Sequence, residues 1–253
     1  MMDKPDELKA QAKTAFEKTA DAARWFWSLV PPLHPAGTPF VAIFAVATLL
    51  LTMLWEDFLC IGVILTLWCA YFFRNPERQT PDDASLVVSP ADGMVSMIET
   101  VTLPSEFDTD DVALYTRISI FLNVFDVHIQ RVPVGGTIKE VVYRPGKFLN
   151  ASLDKASEEN ERSSVLMETA DGKKIAFVQI AGLIARRIIN DLKADQAVMA
   201  GERYGLIRFG SRVDLYLPPN VAPLVYVGQR MVGGETVMAN LSGEQIVRKG
   251  VAR

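Results

Sequence analysis

Two uncharged apolar runs near the start of the chain constrain its fold more than any other feature. They occupy residues 40–55 and 58–73, and only Glu56-Asp57 separates them. A helix of sixteen residues spans about 24 Å, slightly less than the roughly 30 Å hydrocarbon core of a bilayer. The pattern therefore predicts a helical hairpin that crosses the membrane with little tilt or re-enters it. A buried helical hairpin in a soluble core is the alternative, because apolar runs of this length are ambiguous.

Charged and helix-breaking segments flank the apolar runs. Residues 3–29 predict a charged helix with a weak apolar stripe, which we place on the membrane surface. Basic residues in that segment, and Arg74 and Arg78 after the hairpin, put both flanks on the cytoplasmic side. A cleaved signal peptide fits poorly, because the apolar stretch is doubled and begins well inside the chain. We expect a surface helix in residues 1–36, a membrane hairpin with its linker in residues 37–80, and a further domain in residues 81–253.

The composition describes a folded chain and excludes some partners. The 253 residues are 49% hydrophobic and 22% charged, which leaves room for one sizeable domain and an appendage. A formal net charge of −4 provides no basic field for nucleic acid, so we expect no nucleic-acid partner. Cys60 and Cys69 face different sides of one predicted helix, and two cysteines make neither a disulfide framework nor a zinc site.

Short apolar runs separated by turn residues predict that the domain after residue 81 is mainly β. The predicted strands are residues 86–88, 94–102, 114–123, 137–143, 165–169, 174–180, 206–217 and 224–227. Helix is confined to two connections, around residues 153–162 and 183–193. The fold class is therefore α+β, mainly β, with an N-terminal helical membrane hairpin followed by a β-rich domain.

A short sequence repeat predicts two similar hairpins in this domain, like those of barrel-sandwich folds. Residues 196–202 (QAVMAGE) recur thirty-three positions later as residues 229–235 (QRMVGGE). Both copies predict hairpin turns with glycine in the left-handed region, and we expect them to brace the segment between them. Similar repeats occur in biotinyl and lipoyl carrier barrels, but neither turn here carries the lysine that those domains modify.

Gly210-Ser211, between the two repeats, has the residue types that a self-cleaving peptide bond needs. A glycine carbonyl has no side chain to block attack, and the hydroxyl of the next residue can reach it. Attack converts the amide into an ester, and base-promoted elimination leaves dehydroalanine, which hydrolyses to a pyruvoyl group with loss of ammonia. By itself a Gly-Ser pair is more often a turn or a strand irregularity.

Two residues are candidates to activate the Ser211 hydroxyl. His128 is the sole histidine after residue 81, and imidazole titrates near neutral pH, although a lone histidine is more often structural. Asp92, in Ser-Pro-Ala-Asp-Gly, offers a carboxylate that orients the imidazole, although Asp-Gly after proline is also a common turn. We expect Asp92, His128 and Ser211 to meet as a carboxylate, imidazole and hydroxyl set.

These segments together resemble the phosphatidylserine decarboxylases, in particular their shorter bacterial form. Phe-Gly-Ser-Arg-Val-Asp at residues 209–214 stands where the longer form has Leu-Gly-Ser-Thr. The segment at residues 89–93 resembles the family's Pro-x-Asp-Gly block, and residues 126–133 resemble its Asp-x-His-x-x-His-x-Pro motif. Further blocks at residues 146–162 and 179–187 agree with the short form, so the resemblance covers most of residues 37–240.

The resemblance implies a carboxy-lyase that converts phosphatidylserine into phosphatidylethanolamine. Its cofactor would be a pyruvoyl group made from Ser211 by cleavage after Gly210, which forms a Schiff base with the lipid's amine; no metal and no pyridoxal phosphate are implied. A large chain of residues 1–210 and a small chain of residues 211–253 would stay together. The expected location is the bacterial inner membrane with the catalytic domain on the cytoplasmic side, and assembly into a homo-oligomer is left open.

The matching blocks also supply expected substrate contacts, with an ordinary solvated face as the alternative. Arg131 stands where the longer form has its second histidine; guanidinium stays protonated, so we expect Arg131 to bind phosphate or carboxylate rather than act as a base. Phe148 would receive acyl chains or cover the site. The expected donors to the phosphodiester are Asn150, Arg186 and Arg187.

Two other functions remain open at this point. A pyruvoyl decarboxylase that acts on an amino acid or another serine-containing substrate would share the self-cleavage. A membrane-tethered carrier or scaffold domain of the barrel type would not cleave.

Overall fold

The structure, a computed structural model, describes residues 31–146, 159–182, 187–208 and 211–243. The chain divides into two compact units, Met1–Glu77 and Arg78–Arg253. Most of the surface helix that we expect in residues 1–36 lies outside the described residues.

The first unit contains a pair of apolar helices, α1 (Thr38–Thr52) and α2 (Phe58–Phe72), preceded by a 3-10 turn at Pro35–Gly37. Close packing between them depends on Gly62, where an added Cβ would lie 2.5 Å from the Thr48 side chain. The hydroxyls of Thr48 and Thr66 also meet across the pair at 3.4 Å. The hairpin follows directly from the two apolar runs, because Glu56-Asp57 in the connection are the only charged residues in positions 40–73 of the sequence.

The outward faces of both helices are apolar. Leu49 is 65% exposed and Ile64 is 65% exposed, although both are aliphatic. The segment Pro35–Thr52 is long and apolar enough to cross a membrane, judged by length and composition alone, whereas α2 is shorter.

The second unit is built from short strands, as the turn-punctuated sequence predicts. Within its described residues they are β1 (Leu86–Val88), β2 (Gly93–Val101), β3 (Tyr115–Leu122), β4 (Ile129–Arg131), β5 (Gly136–Arg144), β6 (Arg162–Glu168), β7 (Lys174–Ala181), β8 (Ile188–Asn190), β9 (Ala197–Val198), β10 (Arg203–Ile207), β11 (Ser211–Leu217), β12 (Arg230–Met231) and β13 (Val237–Asn240). The α+β, mainly β, class is confirmed.

Three sheets organise these strands. The largest has eight strands in the order β12-β2-β3-β11-β7-β6-β5-β9, while β4-β10-β8 and β1-β13 form smaller sheets. Strand β11 lies in the middle of the large sheet, antiparallel to β3 and β7, and all seven of its residues are buried. Alternate residues of β11 face opposite ways: Val213 and Leu215 enter the main core, whereas Tyr216 belongs to a second cluster.

Three local predictions were wrong. The helix expected at residues 183–193 contains strand β8 in its described part. The helix expected at residues 153–162 lies mostly outside the described residues, and β6 begins at its last position, Arg162. The strand expected at residues 206–217 is two strands, β10 and β11. Residues 224–227 form no strand; instead Leu224 N–H donates to the Met238 carbonyl at 2.8 Å and the chain turns at Tyr226.

The two repeats adopt matching turns. Gly201 and Gly234 have φ angles of 80° and 79°, so the predicted left-handed glycines are confirmed. In each repeat the leading glutamine accepts from a backbone N–H three residues earlier at 3.1 Å. The strands that follow, β9 and β12, occupy opposite edges of the large sheet, so β11 is flanked by β3 and β7 rather than braced by either repeat.

Candidate active site

Ser211 begins strand β11, between the ends of two neighbouring strands. Its register partners are Leu122 on β3 and Ala181 on β7, and the serine is completely buried. Among the described residues its Oγ has no hydrogen-bond partner. A buried hydroxyl without a partner is costly, so such a group in a native fold calls for a functional reason. Gly210 lies outside the described residues.

His128 follows the turn that leaves β3. Asn123 and Asp126 shape this turn: the Asp126 carboxylate accepts from Asn123 N–H at 2.8 Å and also pairs with Arg230. The His128 ring is fully buried, and its Nδ1 lies 3.0 Å from the Asp126 carbonyl oxygen. A carbonyl can only accept, so Nδ1 carries the proton and Nε2 of the neutral ring bears the lone pair that a general base needs.

Hydrogen bonds to its carbonyl connect His128 to Ile207, on the strand before Ser211, and to the Gln130 side chain. The His128 carbonyl accepts from Ile207 N–H at 3.4 Å and from Gln130 Nε2 at 2.9 Å. Gln179 supports Gln130 from β7, donating to its Oε1 at 3.0 Å. Ile207 ends β10, four positions before Ser211, so the structure brings the histidine and the serine to the same end of the large sheet.

Asp92 lies at this same end, just before β2. Gly93 permits close packing there, because an added Cβ would lie 2.3 Å from the Phe121 carbonyl oxygen. The register of β2, β3 and β11 puts Asp92 two strands from Ser211, a backbone separation of about 10 Å. The carboxylate accepts from Gly233 N–H at 2.7 Å and pairs with Arg78 at 2.7 Å. The His128 Nδ1 contacts the Asp126 carbonyl oxygen, so a direct role of Asp92 on the imidazole stays a prediction.

Arg131 belongs to the charged group around Asp92. It ends β4, is buried, and donates from Nη1 to the Gly201 carbonyl at 2.8 Å. Burial, followed by repulsion from Arg203 and Arg78, lowers the pKa of Arg131 to about 10. The guanidinium therefore remains charged at neutral pH, and the role of Arg131 in binding the substrate stays a prediction.

Of the other expected substrate contacts, the structure describes Arg187 alone; Phe148, Asn150 and Arg186 lie outside the described residues. The Arg187 carbonyl accepts from Arg208 N–H at 3.4 Å. Burial and the nearby Arg187 charge lower the pKa of Arg208. Arg208 was not singled out from the sequence, because its proximity to Arg187 depends on the pairing of β8 with β10.

Among the described residues, no group of three or more histidine, cysteine, aspartate or glutamate side chains is arranged to hold a metal ion.

Comparison with known proteins identifies the family. The family model described as phosphatidylserine decarboxylase matches residues 65–239. A phosphatidylserine decarboxylase proenzyme of Cereibacter sphaeroides is 54% identical over 226 residues, which cover 89% of this chain and 97% of the relative. One of Paramagnetospirillum magneticum is 53% identical over 246 residues, covering 97% of this chain and 100% of the relative. The chain belongs to the phosphatidylserine decarboxylase family.

A third phosphatidylserine decarboxylase proenzyme is similar to this chain to the same degree. A proenzyme of Saccharopolyspora erythraea is 55% identical over 213 residues, covering 84% of this chain and 90% of the relative. The family model includes Asp92, His128 and Ser211, so the end of the sheet where they lie is part of the matched region.

Proposed function

We propose that this chain is a self-processing phosphatidylserine decarboxylase that makes its own pyruvoyl group from Ser211. The observation that carries the proposal is the buried Ser211 Oγ, which has no hydrogen-bond partner among the described residues and directly follows Gly210. Membership in a family whose relatives are named proenzymes supports it. The residues fit the group, because a strand-initial serine becomes the new N-terminus once the preceding bond is cut.

The self-cleavage uses groups that the chain itself supplies. His128 Nε2 takes the Ser211 hydroxyl proton as Oγ attacks the Gly210 carbonyl carbon; the C–N bond breaks, the Ser211 nitrogen takes up a proton and an ester remains. A base then removes the α-proton, the Cβ–O bond breaks, and the Gly210 carboxylate leaves. Water hydrolyses the resulting dehydroalanine to the ketone and releases ammonia. Asp92 assists through its charge at the same end of the sheet.

Decarboxylation would use the pyruvoyl group for the chemistry and arginine side chains for substrate binding. The pyruvoyl ketone supplies an acceptor for the lipid's serine amine and for the electrons released as carbon dioxide leaves. His128 returns a proton to the α-carbon, and hydrolysis by water then releases phosphatidylethanolamine and restores the ketone. Arg131 and Arg187 bind the carboxylate and the phosphodiester, and Arg208 strengthens the positive charge beside Arg187.

Phe148, Asn150 and Arg186 complete the proposed substrate site, on the strength of the sequence blocks that contain them. Phe148 would cover the site or contact the acyl chains. Asn150 and Arg186 would donate to the phosphodiester.

Strand pairing holds the two chains together after cleavage. The small chain, residues 211–253, contains β11, which pairs along its length with β3 and along most of it with β7. It also contains β12 and β13, which pair with β2 and β1. We propose a noncovalent large and small chain assembly; association of such assemblies into a homo-oligomer stays a prediction.

The helical hairpin is proposed to keep the enzyme at the membrane that contains its substrate. The apolar length of Pro35–Thr52 and the exposed aliphatic faces of α1 and α2 support this location. Arg74 and Arg78 after the hairpin favour a catalytic domain on the cytoplasmic side of the inner membrane.

Decarboxylation of phosphatidylserine in mixed vesicles tests the proposal. The purified full chain should release carbon dioxide and form phosphatidylethanolamine, Ser211→Ala should do neither, and the matched serine variant Ser96→Ala should behave as the parent. A chain that decarboxylates free serine but not the lipid would indicate a soluble-substrate pyruvoyl decarboxylase. A chain that acts on neither substrate and remains uncut would indicate the carrier or scaffold function.

A further inference from the structure

The first residues of the second unit, Arg78 to Thr80, are built into the same end of the sheet as the proposed site. Arg78 Nη2 pairs with Asp92 Oδ2 at 2.7 Å, and the two side chains are only 16% and 15% exposed. The next residue, Gln79, donates its N–H to Glu235 Oε1 at 3.1 Å. The segment that follows the apolar hairpin is therefore anchored by specific polar contacts rather than lying free on the surface.

The two repeat turns contact this segment, and glycines make room for Thr80 in one turn and for Arg131 in the other. An added Cβ at Gly201 would lie 2.0 Å from Thr80 Oγ1. At Gly234 it would lie 3.5 Å from Thr80 Oγ1 and 2.7 Å from Arg131 Cδ. Both glycines have a left-handed backbone. Gly201 also leaves room for Thr80, whereas the close neighbour of Gly234 is Arg131.

The contacts of Asp92 show what Arg78 does in this arrangement. Gly233 N–H binds Oδ1 and Arg78 binds Oδ2, so each carboxylate oxygen has a donor and the carboxylate plane is fixed. The charges of Arg78 and Asp92 both act on the buried Arg131 guanidinium, so Arg131 lies close to this pair. The charges of Arg203 and Glu235 act on Arg131 as well.

We propose that Arg78 is a positioning residue for self-cleavage, which acts by holding the Asp92 carboxylate in its orientation and in its charged form. The inference rests on the proposed function, in which Asp92 supports the activation of Ser211. The segment next to the membrane hairpin thereby becomes part of the processing machinery. A chain in which this segment is displaced would fold its strands but process slowly.

The rate of processing in the full chain tests this role. Freshly synthesised chain is followed by gel electrophoresis from one chain to two, for the parent, Arg78→Gln, Arg78→Lys and the control Lys139→Gln. Lys139 also pairs with a carboxylate, Glu168, but does so at 3.4 Å on the exposed surface. We expect Arg78→Gln to process about ten- to a hundredfold more slowly, the range for losing a hydrogen bond to a charged group. Arg78→Lys should recover part of the rate, and the control should match the parent.

The pH profile separates positioning from a general loss of structure. A carboxylate without its cation is easier to protonate, so processing of Arg78→Gln should begin to fail at a higher pH than in the parent. An unshifted acidic limb, or a shift to lower pH, would overturn the inference. Urea unfolding of each variant in the uncut Ser211→Ala chain shows whether the fold itself has changed.

A double-mutant cycle decides whether Arg78 acts through Asp92. The variant Arg78→Gln/Asp92→Asn should process no more slowly than Asp92→Asn alone. If the double variant is slowed by the product of the two single effects, Arg78 does not act through Asp92 and the inference is rejected. The inference is also rejected if Arg78→Gln processes at the parent rate while Asp92→Asn is slow. Both results leave the proposed function standing. Parent-like processing of Asp92→Asn would reject both the inference and the proposed role of Asp92, whereas an uncut parent chain would reject the proposed function itself.

Discussion

The strand that begins at Ser211 should depend strongly on one buried ion pair. On the face of β11 opposite the main core, Arg212 Nε and Nη2 donate to the Asp214 carboxylate at 2.6 and 2.9 Å, and Nη2 also donates to Ser119 Oγ at 2.7 Å. The Arg212 and Asp214 side chains are 1% and 0% exposed. The substitution Asp214→Ala therefore leaves a guanidinium buried with one of its three acceptor contacts.

The size of the effect follows from the burial. Removing one partner of a buried pair costs about 3–5 kcal/mol, which at about 1.4 kcal/mol per tenfold lowers the folded-to-unfolded ratio by a factor of about 140 to about 3,700. Replacing both partners by apolar residues of similar volume, as in Arg212→Met/Asp214→Leu, removes the uncompensated charge and should restore most of the free energy of unfolding.

Pulse proteolysis in urea measures the folded fraction for these variants. The experiment uses the Ser211→Ala chain, so that every variant remains uncut and differences in processing do not enter. A loss below about 1 kcal/mol for Asp214→Ala, the range of a surface ion pair, would contradict the reasoning. So would a double variant less stable than the single one.

Three other results are expected. His128→Ala should slow processing about a hundred- to ten-thousandfold in a gel time course, because it removes the proposed general base; parent-like processing would exclude this role. Burial opposes ionisation of Glu106, but hydrogen bonds from Arg162 and Ser164 outweigh it and keep the Glu106 pKa below its usual 4.5. The carboxylate therefore contributes stability above that pH and loses it as the pH falls, so the stability of Glu106→Gln, measured by urea unfolding, should depend less on pH between about 5 and 3. The large and small chains should copurify without denaturant and separate in it, because β11 is buried between two strands of the large chain; separation in plain buffer would contradict this pairing.

The sequence was most informative where a pattern is long or where chemistry restricts the residue type. The two apolar runs predicted α1 and α2 to within a few residues, and residues 86–88 predicted β1 without error. Strands β9 and β12 contain two residues each, which is too short for an alternating pattern to be recognised in the sequence. The Ile188-Ile189 pair of β8 was mistaken for helix because short apolar runs do not distinguish the two structures.

Some residues of the candidate site could also be predicted from the sequence, whereas others depend on tertiary contacts. Ser211 and His128 were found because self-cleavage needs a hydroxyl after glycine and a base near neutral pH. Arg78 was interpreted only as a flanking charge, since its pairing with Asp92 follows from how the chain passes between the repeat turns. The support of Gln130 by Gln179 likewise joins two strands far apart in sequence, which no local pattern reveals.

Intact-mass analysis of the purified protein tests self-processing at Ser211 most directly. The expected result is two chains, residues 1–210 and a 43-residue chain from position 211 to Arg253 whose first residue has the mass of a pyruvoyl group and resists amine-directed sequencing. A single uncut chain of 253 residues, or a small chain that begins with an unmodified serine, would contradict it.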